Sequence, residues 1–363
     1  MYGVNTPIRG VINDNVWGIK CHIFDLSLSK SLIMKHVSII VPKGLAIVDT
    51  IIGSLNLFQM ASSYYRKTVG NGQHIFEVDL VGLDEEAHAF NRYFSVTPTK
   101  TIHDSFKTDL IIVPGLVGNM TEQIKLNHEF IPWMKLQRIT NDAEIAALCR
   151  GAFLLAETGL MNGKSAATHW VTHDTFREMF PQVNLLPEKI ISEDSGIYSS
   201  GGAYSFLNLV LHLIEKFCGR ETAIWCSKMA EIEFDRMDQN QFSVFNGQKE
   251  HKDEEVKIVQ EFVEQNYSEK ISVESLAGKA STSVRNFIRR FKKATNNTPI
   301  EYIQRVRIEA AKKKLESTTL KINEVMYDIG YNDDKTFRTI FKRYAGLTPL
   351  EYRNKYNREM ALA

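Results

Sequence analysis

Residues 286–302 and 336–352 repeat each other at a fixed offset of 50. Phe287, Phe291, Lys292 and Lys293 return as Phe337, Phe341, Lys342 and Arg343, and Thr298-Pro299-x-Glu301-Tyr302 returns as Thr348-Pro349-x-Glu351-Tyr352. A duplicated unit has to satisfy the same packing twice. In each copy Thr suits a helix N-cap, Pro the first helical position and Glu the third, so the motif specifies a helix start by capping-box chemistry. Phe287, Phe291 and Ala294 fall at i, i+4 and i+7, as do Phe337, Phe341 and Tyr344, which predicts one buried stripe on a preceding helix in each copy. Opposite it, Arg285, Arg289 and Lys292 form a cationic stripe, the kind of face that fits between phosphate backbones.

Residues 273–277 and their offset partners 323–327 predict a short first helix in each unit, with turns near 280–282 and 330–332. Each unit therefore reads as helix-turn-helix. Residues 299–315 are rich in helix formers, with Ile303, Val306 and Ala310 on one stripe, so a rigid helix is expected to join the units. A helical solenoid would need at least three repeats and no cationic outer helix, so DNA binding is the better reading. Charge agrees: residues 268–358 hold 20 Lys+Arg against 10 Asp+Glu, net +10, whereas the remainder carries 24 against 33, net −9. An acidic body with a basic C-terminal module fits double-stranded DNA as partner.

At 363 residues the chain is long enough for two cores. No apolar run approaches the roughly 18–20 residues that span a bilayer, and the N-terminus lacks a signal-peptide pattern, so no membrane association and a cytoplasmic location are expected. Cys21, Cys149, Cys218 and Cys226 have neither Cys-x-x-Cys spacing nor disulfide-scaffold density; reduced thiols, no metal and no cofactor are expected. Periodicity begins abruptly at 34–41, which motivates the hypothesis that Met34 is the native start and residues 1–33 are not native.

From His36 onward β-rich runs at 37–41, 76–83, 109–113 and 145–149 alternate with helical stretches after Asp49, Asn127 and Gly151, an α/β pattern with a mostly parallel sheet. Ligands in such sheets sit at the carboxyl ends of strands, here Pro42 to Asp49, Pro114-Gly115 and Cys149-Arg150-Gly151. A strand running into Cys-x-Gly and an apolar helix resembles a nucleophile elbow, which predicts a solvent-reachable Cys149 at a helix N-terminus where thiolate is favoured. A cysteine packed beneath a pocket is the alternative.

Residues 148–156, with Gly159 to Lys164, Ala167-Thr168-His169-Trp170, Asp49, Pro114-Gly115 and Ser200-Gly201-Gly202-Ala203, resemble the PfpI-like, glutamine-amidotransferase-like superfamily. Residues 253–356, with Leu276-Ala277, Phe291-Lys292, Ile329-Gly330-Tyr331 and both Thr-Pro-x-Glu-Tyr motifs, resemble the AraC/XylS DNA-binding domain. The combination resembles GlxA-type bacterial regulators. The resemblance implies an α/β sandwich of the class I glutamine-amidotransferase-like type followed by an all-α double helix-turn-helix domain. The expected bounds are 1–35 extension, 36–238 sensory domain, 239–252 linker and 253–358 DNA-binding domain, with the sensory fold ending near Asp235.

Residue by residue, the resemblance implies DNA-facing positions at Arg285, Asn286, Ile288 and Arg289 in the first unit and Asp334, Lys335, Thr336 and Thr339 in the second. Many relatives carry Arg where this chain has Thr339, and Arg338 reads as a phosphate contact on another azimuth. In the sensory domain it implies Cys149 as a nucleophile-position residue with Asp49 as its acidic partner, and a ligand site of Asp49, Gly115, Cys149, Arg150, Gly151 and His169. Arg150 departs from a usual small hydroxyl residue and Leu116 from a frequent second glycine. The implied protein is a ligand-responsive, homodimeric transcription factor answering to an amino-acid-like or quaternary-ammonium effector and working with RNA polymerase. A cysteine-dependent hydrolase, hydratase or amidase carrying a DNA-binding module is the alternative.

Overall fold

The computed structural model describes residues 34–89, 93–234 and 238–357. The segment before the hypothetical start at Met34, the expected sensory end near Asp235 and Arg358 lie outside the described residues.

The alternating apolar pattern becomes strands whose two faces feed two cores. In chain order the elements are β1 (Lys35–Ile40), α1 (Val48–Thr68), β2 (Phe76–Gly82), the pair β3 (His88–Ala89) and β4 (Ser95–Val96), β5 (Lys100–Thr101) and β6 (Leu110–Val113). There follow α2 (Met120–Leu126), α3 (Phe130–Asn141), β7 (Glu144–Ala147), α4 (Ala152–Glu157), β8 (Ser165–Ala166), α5 (His173–Met179) and β9 (Asn184–Leu185). The hairpin β10 (Ile191–Asp194) and β11 (Ile197–Ser200) and helices α6 (Ser205–Cys218) and α7 (Arg220–Met229) complete this half. The main sheet runs β10-β11-β7-β6-β1-β2-β5, parallel throughout except for the β10–β11 pair.

Val37, Ile39, Leu110, Ile112 and Ala146 turn to one face, packing with Phe58 of α1 and Leu209 and Leu213 of α6. Ile40, Ile111, Val113, Ile145 and Ala147 turn to the other, against Trp133 of α3 and Phe153 of α4. Side-chain period two thus sorts the central strands β1, β6 and β7 between two helical layers, giving the α/β sandwich. The carboxyl ends of β1, β6, β7 and β11 meet along one edge, where the ligand site is expected.

The C-terminal half is helical: α8 (Glu254–Asn266), α9 (Val273–Lys279), α10 (Val284–Thr295), α11 (Pro299–Ser317), α12 (Ile322–Asp328), α13 (Asp334–Ala345) and α14 (Pro349–Tyr356). The repeat recurs in geometry. Phe287 and Phe291 lie 5.4 Å apart between ring centres and Phe337 and Phe341 5.7 Å, and each second Phe meets its Tyr edge-on, Tyr302 at 5.4 Å and Tyr352 at 5.6 Å. Both capping boxes form, with the Thr298 and Thr348 N–H groups each donating to the Glu three residues on at 2.8 Å. Left-handed residues at the same offset, Asn296 and Gly346, end α10 and α13.

Helix α11 belongs to both units. Tyr302, Ile303 and Val306 enter the core with α8, α9 and α10, whereas Ile308, Ala311 and Leu315 enter the core with α12, α13 and α14. Ala310, expected on the buried stripe, is only partly buried. Sharing one continuous helix fixes the distance between the two units.

Candidate nucleic-acid interface and sensory pocket

Helix α10 starts at the Ser283 N-cap, whose hydroxyl accepts from the Asn286 N–H, and Phe287 and Phe291 are fully buried beneath it. That packing turns Arg285, Ile288, Arg289 and Lys292 outward. A short chain of hydrogen bonds orders this face: the Asn286 amide donates to Thr282 Oγ1 at 2.8 Å and accepts from Arg289 at 2.8 Å. Arg290 turns away from the same helix and is paired with Asp253 and Glu255 beside α8. Its charge is neutralised locally, so Arg285, Arg289 and Lys292 are left as the outward cations of this stripe.

Helix α13 uses the same packing but different surface chemistry. Asp333 caps it, and Asp334, Lys335, Thr336, Arg338 and Thr339 are exposed. Both oxygens of Asp334 accept from Arg338 Nε, at 2.8 and 2.7 Å, and Thr339 Oγ1 donates to the Lys335 carbonyl at 2.8 Å. Arg338, one residue from Thr339 and so on a different azimuth, has a carboxylate partner that the sequence reading did not anticipate. An i, i+4 spacing brings it to Asp334, and the carboxylate holds its guanidinium.

At the sheet edge Cys149 has φ +54°, the strained turn expected of an elbow, and Gly151 is required there because a Cβ would lie 2.5 Å from the Val113 and Pro114 carbonyl oxygens. The exposed thiolate is not formed. Cys149 is fully buried, and burial pushes its thiol up, outweighing the opposite pull of the Ala203 and Arg150 N–H groups and the Arg150 charge. Its N–H donates to Ser200 Oγ at 3.1 Å and its carbonyl accepts from Thr168 Oγ1 at 3.0 Å.

Above it lies a pocket of about 340 Å³, lined by Asp49, Arg150, His169, Ala203 and Tyr204 over the apolar Ile47, Val171 and Phe206. Of the six expected ligand residues the structure brings Asp49, Arg150 and His169 to this lining; Gly115, Cys149 and Gly151 are not among the lining residues. A Cβ on Gly115 would lie 3.0 Å from Ile47 Cδ1 and 3.4 Å from Cys149 Cβ, so Gly115 sits close to both side chains. Leu116 is buried and paired with Ala46 in a short antiparallel bridge, which zips the β1 and β6 loops together. Asp49, expected to face the thiol, instead accepts from the Tyr204 hydroxyl at 3.3 Å.

Arg150 keeps its Nε buried without a hydrogen-bond partner. His169 Nδ1 accepts from the Val171 N–H at 3.2 Å, leaving the proton of a neutral ring on Nε2, and burial, then the Arg150 charge, lowers its pKa. The imidazole lies flat on Gly202, where a Cβ would meet its ring atoms at 2.6 to 2.9 Å. Sequence reasoning missed Tyr204, although it directly follows the Ser200-Gly201-Gly202-Ala203 run that it singled out, and it gave Ala203 no ligand role.

These features define a class: a helix-turn-helix DNA-binding protein joined to an α/β domain with a polar pocket over an elbow cysteine. A DJ-1/PfpI family model matches residues 63–216 and a helix-turn-helix domain model matches residues 276–355. The chain is 25% identical over 310 residues to the HTH-type transcriptional regulator GbdR of Pseudomonas aeruginosa, covering 84% of this chain and 82% of that protein. It is 34% identical over 116 residues to an uncharacterized HTH-type transcriptional regulator of Pseudoalteromonas carrageenovora, covering 30% of this chain and 69% of that one. Isonitrile hydratase of Pseudomonas putida is 26% identical over 148 residues, covering 40% of this chain and 62% of the enzyme. The chain belongs to the HTH-type transcriptional regulators, with a DJ-1/PfpI domain ahead of an AraC-type DNA-binding domain, and is a DNA-binding regulator of transcription. Among the described residues no helix is long and apolar enough to cross a membrane.

Proposed function

We propose that this regulator is ligand-responsive and sequence-specific, reading DNA through α10 and α13 and sensing a small zwitterion in the pocket over Cys149. The observation that carries the sensing role is the lining itself. Arg150, with a buried Nε that lacks a partner, faces the same space as the Asp49 carboxylate and the Tyr204 ring. A guanidinium suits a carboxylate, and a carboxylate beside an aromatic ring suits an ammonium, so an amino-acid-like or quaternary-ammonium compound fits. Arg285 and Arg289 are proposed to read base edges, and Lys335 and Arg338 to hold phosphates, with Asn286, Ile288, Asp334, Thr336 and Thr339 shaping the contact. A homodimer acting with RNA polymerase in the cytoplasm completes the reading.

Catalysis by Cys149 is the second reading, favoured by its elbow geometry and by the Ala203 and Arg150 amides beside it. The buried thiol, whose pKa burial pushes up, supports sensing over turnover. The test titrates the full chain with a panel of free amino acids and their trimethylammonium counterparts, following Trp170, which adjoins His169 at 5.5 Å between ring centres. One class should shift its fluorescence and change duplex affinity, and Arg150→Met should abolish the response to carboxylate-bearing members. Thiol-dependent turnover lost in Cys149→Ser, with no effect of any compound on DNA binding, would favour the enzyme.

A further inference from the structure

Polar composition made 239–252 read as a linker, yet its first residue is among the most enclosed polar side chains of the protein. Gln239 is 1% exposed. Its Oε1 accepts from the Gly202 N–H at 3.1 Å, and its Nε2 donates to the carbonyls of Thr168, Pro187 and Lys189 at 3.0, 3.1 and 3.2 Å. One carboxamide therefore holds both walls of the pocket: Gly202 precedes Ala203 and Tyr204, and Thr168 precedes His169. The Thr168 carbonyl also lies 3.2 Å from His173 Nε2 at the start of α5, and its hydroxyl reaches the Cys149 carbonyl.

The backbone leaving Gln239 is clamped at once to the DNA-binding half. Gln241 accepts from Lys355 at 2.6 Å through its side chain and from the Tyr356 hydroxyl at 3.2 Å through its carbonyl. The buried Lys312 of α11 donates to the Ser243 carbonyl at 2.5 Å, and the Phe245 N–H donates to Glu309 at 3.2 Å. Phe245 then packs edge-on against Tyr302, 5.2 Å between centres. The seven residues from Gln239 to Phe245 thus run from the back of the pocket to α14 and to both halves of the shared helix α11.

We propose that Gln239 is the positioning residue that couples the sensory pocket to the DNA-binding domain, its carboxamide sensing the separation of the Thr168 and Gly202 walls and its backbone carrying that setting into the strap on α11 and α14. This rests on the pocket being the sensory site. A ligand drawn between Tyr204 and His169 changes the distance that one rigid amide spans, and the strap offers no slack to absorb the change. Coupling of this kind is reciprocal, so DNA binding must alter the pocket walls as surely as a ligand alters DNA binding.

Reciprocity allows a test with DNA as the probe. The full chain is used to select a duplex from a random pool, and hydrogen exchange at 168–173 and 200–206 is followed with and without that duplex. In the native chain, exchange at both walls should change by about fivefold, the low end of ordinary coupling. In Gln239→Ala the change should vanish while duplex affinity and unfolding cooperativity are kept, and Gln239→Glu, which keeps the acceptor for Gly202 but sets a carboxylate against three carbonyls, should not restore it. If Gln239→Ala does not fold, the double variant Gln241→Ala/Tyr356→Phe releases the strap at the surface and should lose the same response. Equal duplex-induced changes in native and variant chains, or no change in the native chain, would overturn the proposal. Failure to select any duplex would instead contradict sequence-specific reading, which keeps the two outcomes apart.

Discussion

The two helix-turn-helix units share a core and differ in their readers. Phe287, Phe291 and Tyr302 superimpose in role on Phe337, Phe341 and Tyr352, down to a glutamate accepting from each tyrosine hydroxyl, Glu264 at 2.7 Å and Glu316 at 2.5 Å. Outside, α10 presents Arg285 and an Arg289 steadied by a neutral amide, whereas α13 presents an Arg338 chelated by a carboxylate and a Thr339 already bonded to its own backbone. Duplication preserves what packing constrains. The exposed faces, free of that constraint, have diverged until one unit is armed with open cations and the other is largely self-satisfied.

Equal cores predict equal losses. Phe291→Ala and Phe341→Ala should each destabilise the DNA-binding half by about 3–5 kcal/mol in chemical denaturation, because each removes a fully buried ring. A loss from Phe341→Ala of under about 1 kcal/mol would break the equivalence of the two units.

The first unit also meets the sensory domain, since the Asn296 side chain at the end of α10 donates to Asp174 of α5 at 3.3 Å. Beside it, burial drives the His173 pKa down to about 4, aided by the charges of Arg177 and Arg305. The unfolded chain therefore binds the extra proton between about pH 6.5 and pH 4, and stability falls as pH drops through that window. The contribution is up to about 3 kcal/mol, fully present above the unfolded value and lost by about pH 4. His173→Gln should remove this part of the acid slope, and an unchanged slope would show that the ring is hydrated in the folded protein.

Recognition should divide unequally. Arg289→Ala should cost about 1–3 kcal/mol on a selected duplex and relax preference at one base pair, and Thr339→Ala should cost less. Equal losses at one salt concentration would contradict the ranking. The smallest effect is expected from Asp334→Asn, which frees Arg338: affinity for unrelated duplex should rise and the salt dependence steepen by about one counterion. A flat salt response would mean that Arg338 does not approach phosphate.

The double helix-turn-helix was legible because a 50-residue repeat carries its own internal check: caps, stripes and turns had to agree twice. The sheet was legible where short runs such as 37–41 and 109–113 alternate between two apolar faces. The hairpin formed by β10 and β11 went unread because Ser192, Ser199 and Ser200 are polar yet buried, so no apolar pattern marks it. The site was half legible. Asp49, Arg150 and His169 lie at strand ends and next to singled-out motifs, but the full burial of Cys149, and the approach of Gly115 to it and to Ile47, arise only in three dimensions. Gln239 could not be recognised at all, since its four partners lie 37 to 71 residues away and a glutamine in a polar run carries no local signal.

The central claim is that one chain carries two readers held at a fixed spacing by α11. Hydroxyl-radical footprinting of the full chain on a selected duplex tests it most directly. For each bound chain, two major-groove segments on one face of the DNA should be protected, centred about 34 Å apart as one turn of B-DNA requires, and the protection opposite α10 should be lost first in Arg289→Ala. Protection of a single major-groove segment per chain, or two segments whose spacing varies from site to site, would contradict it.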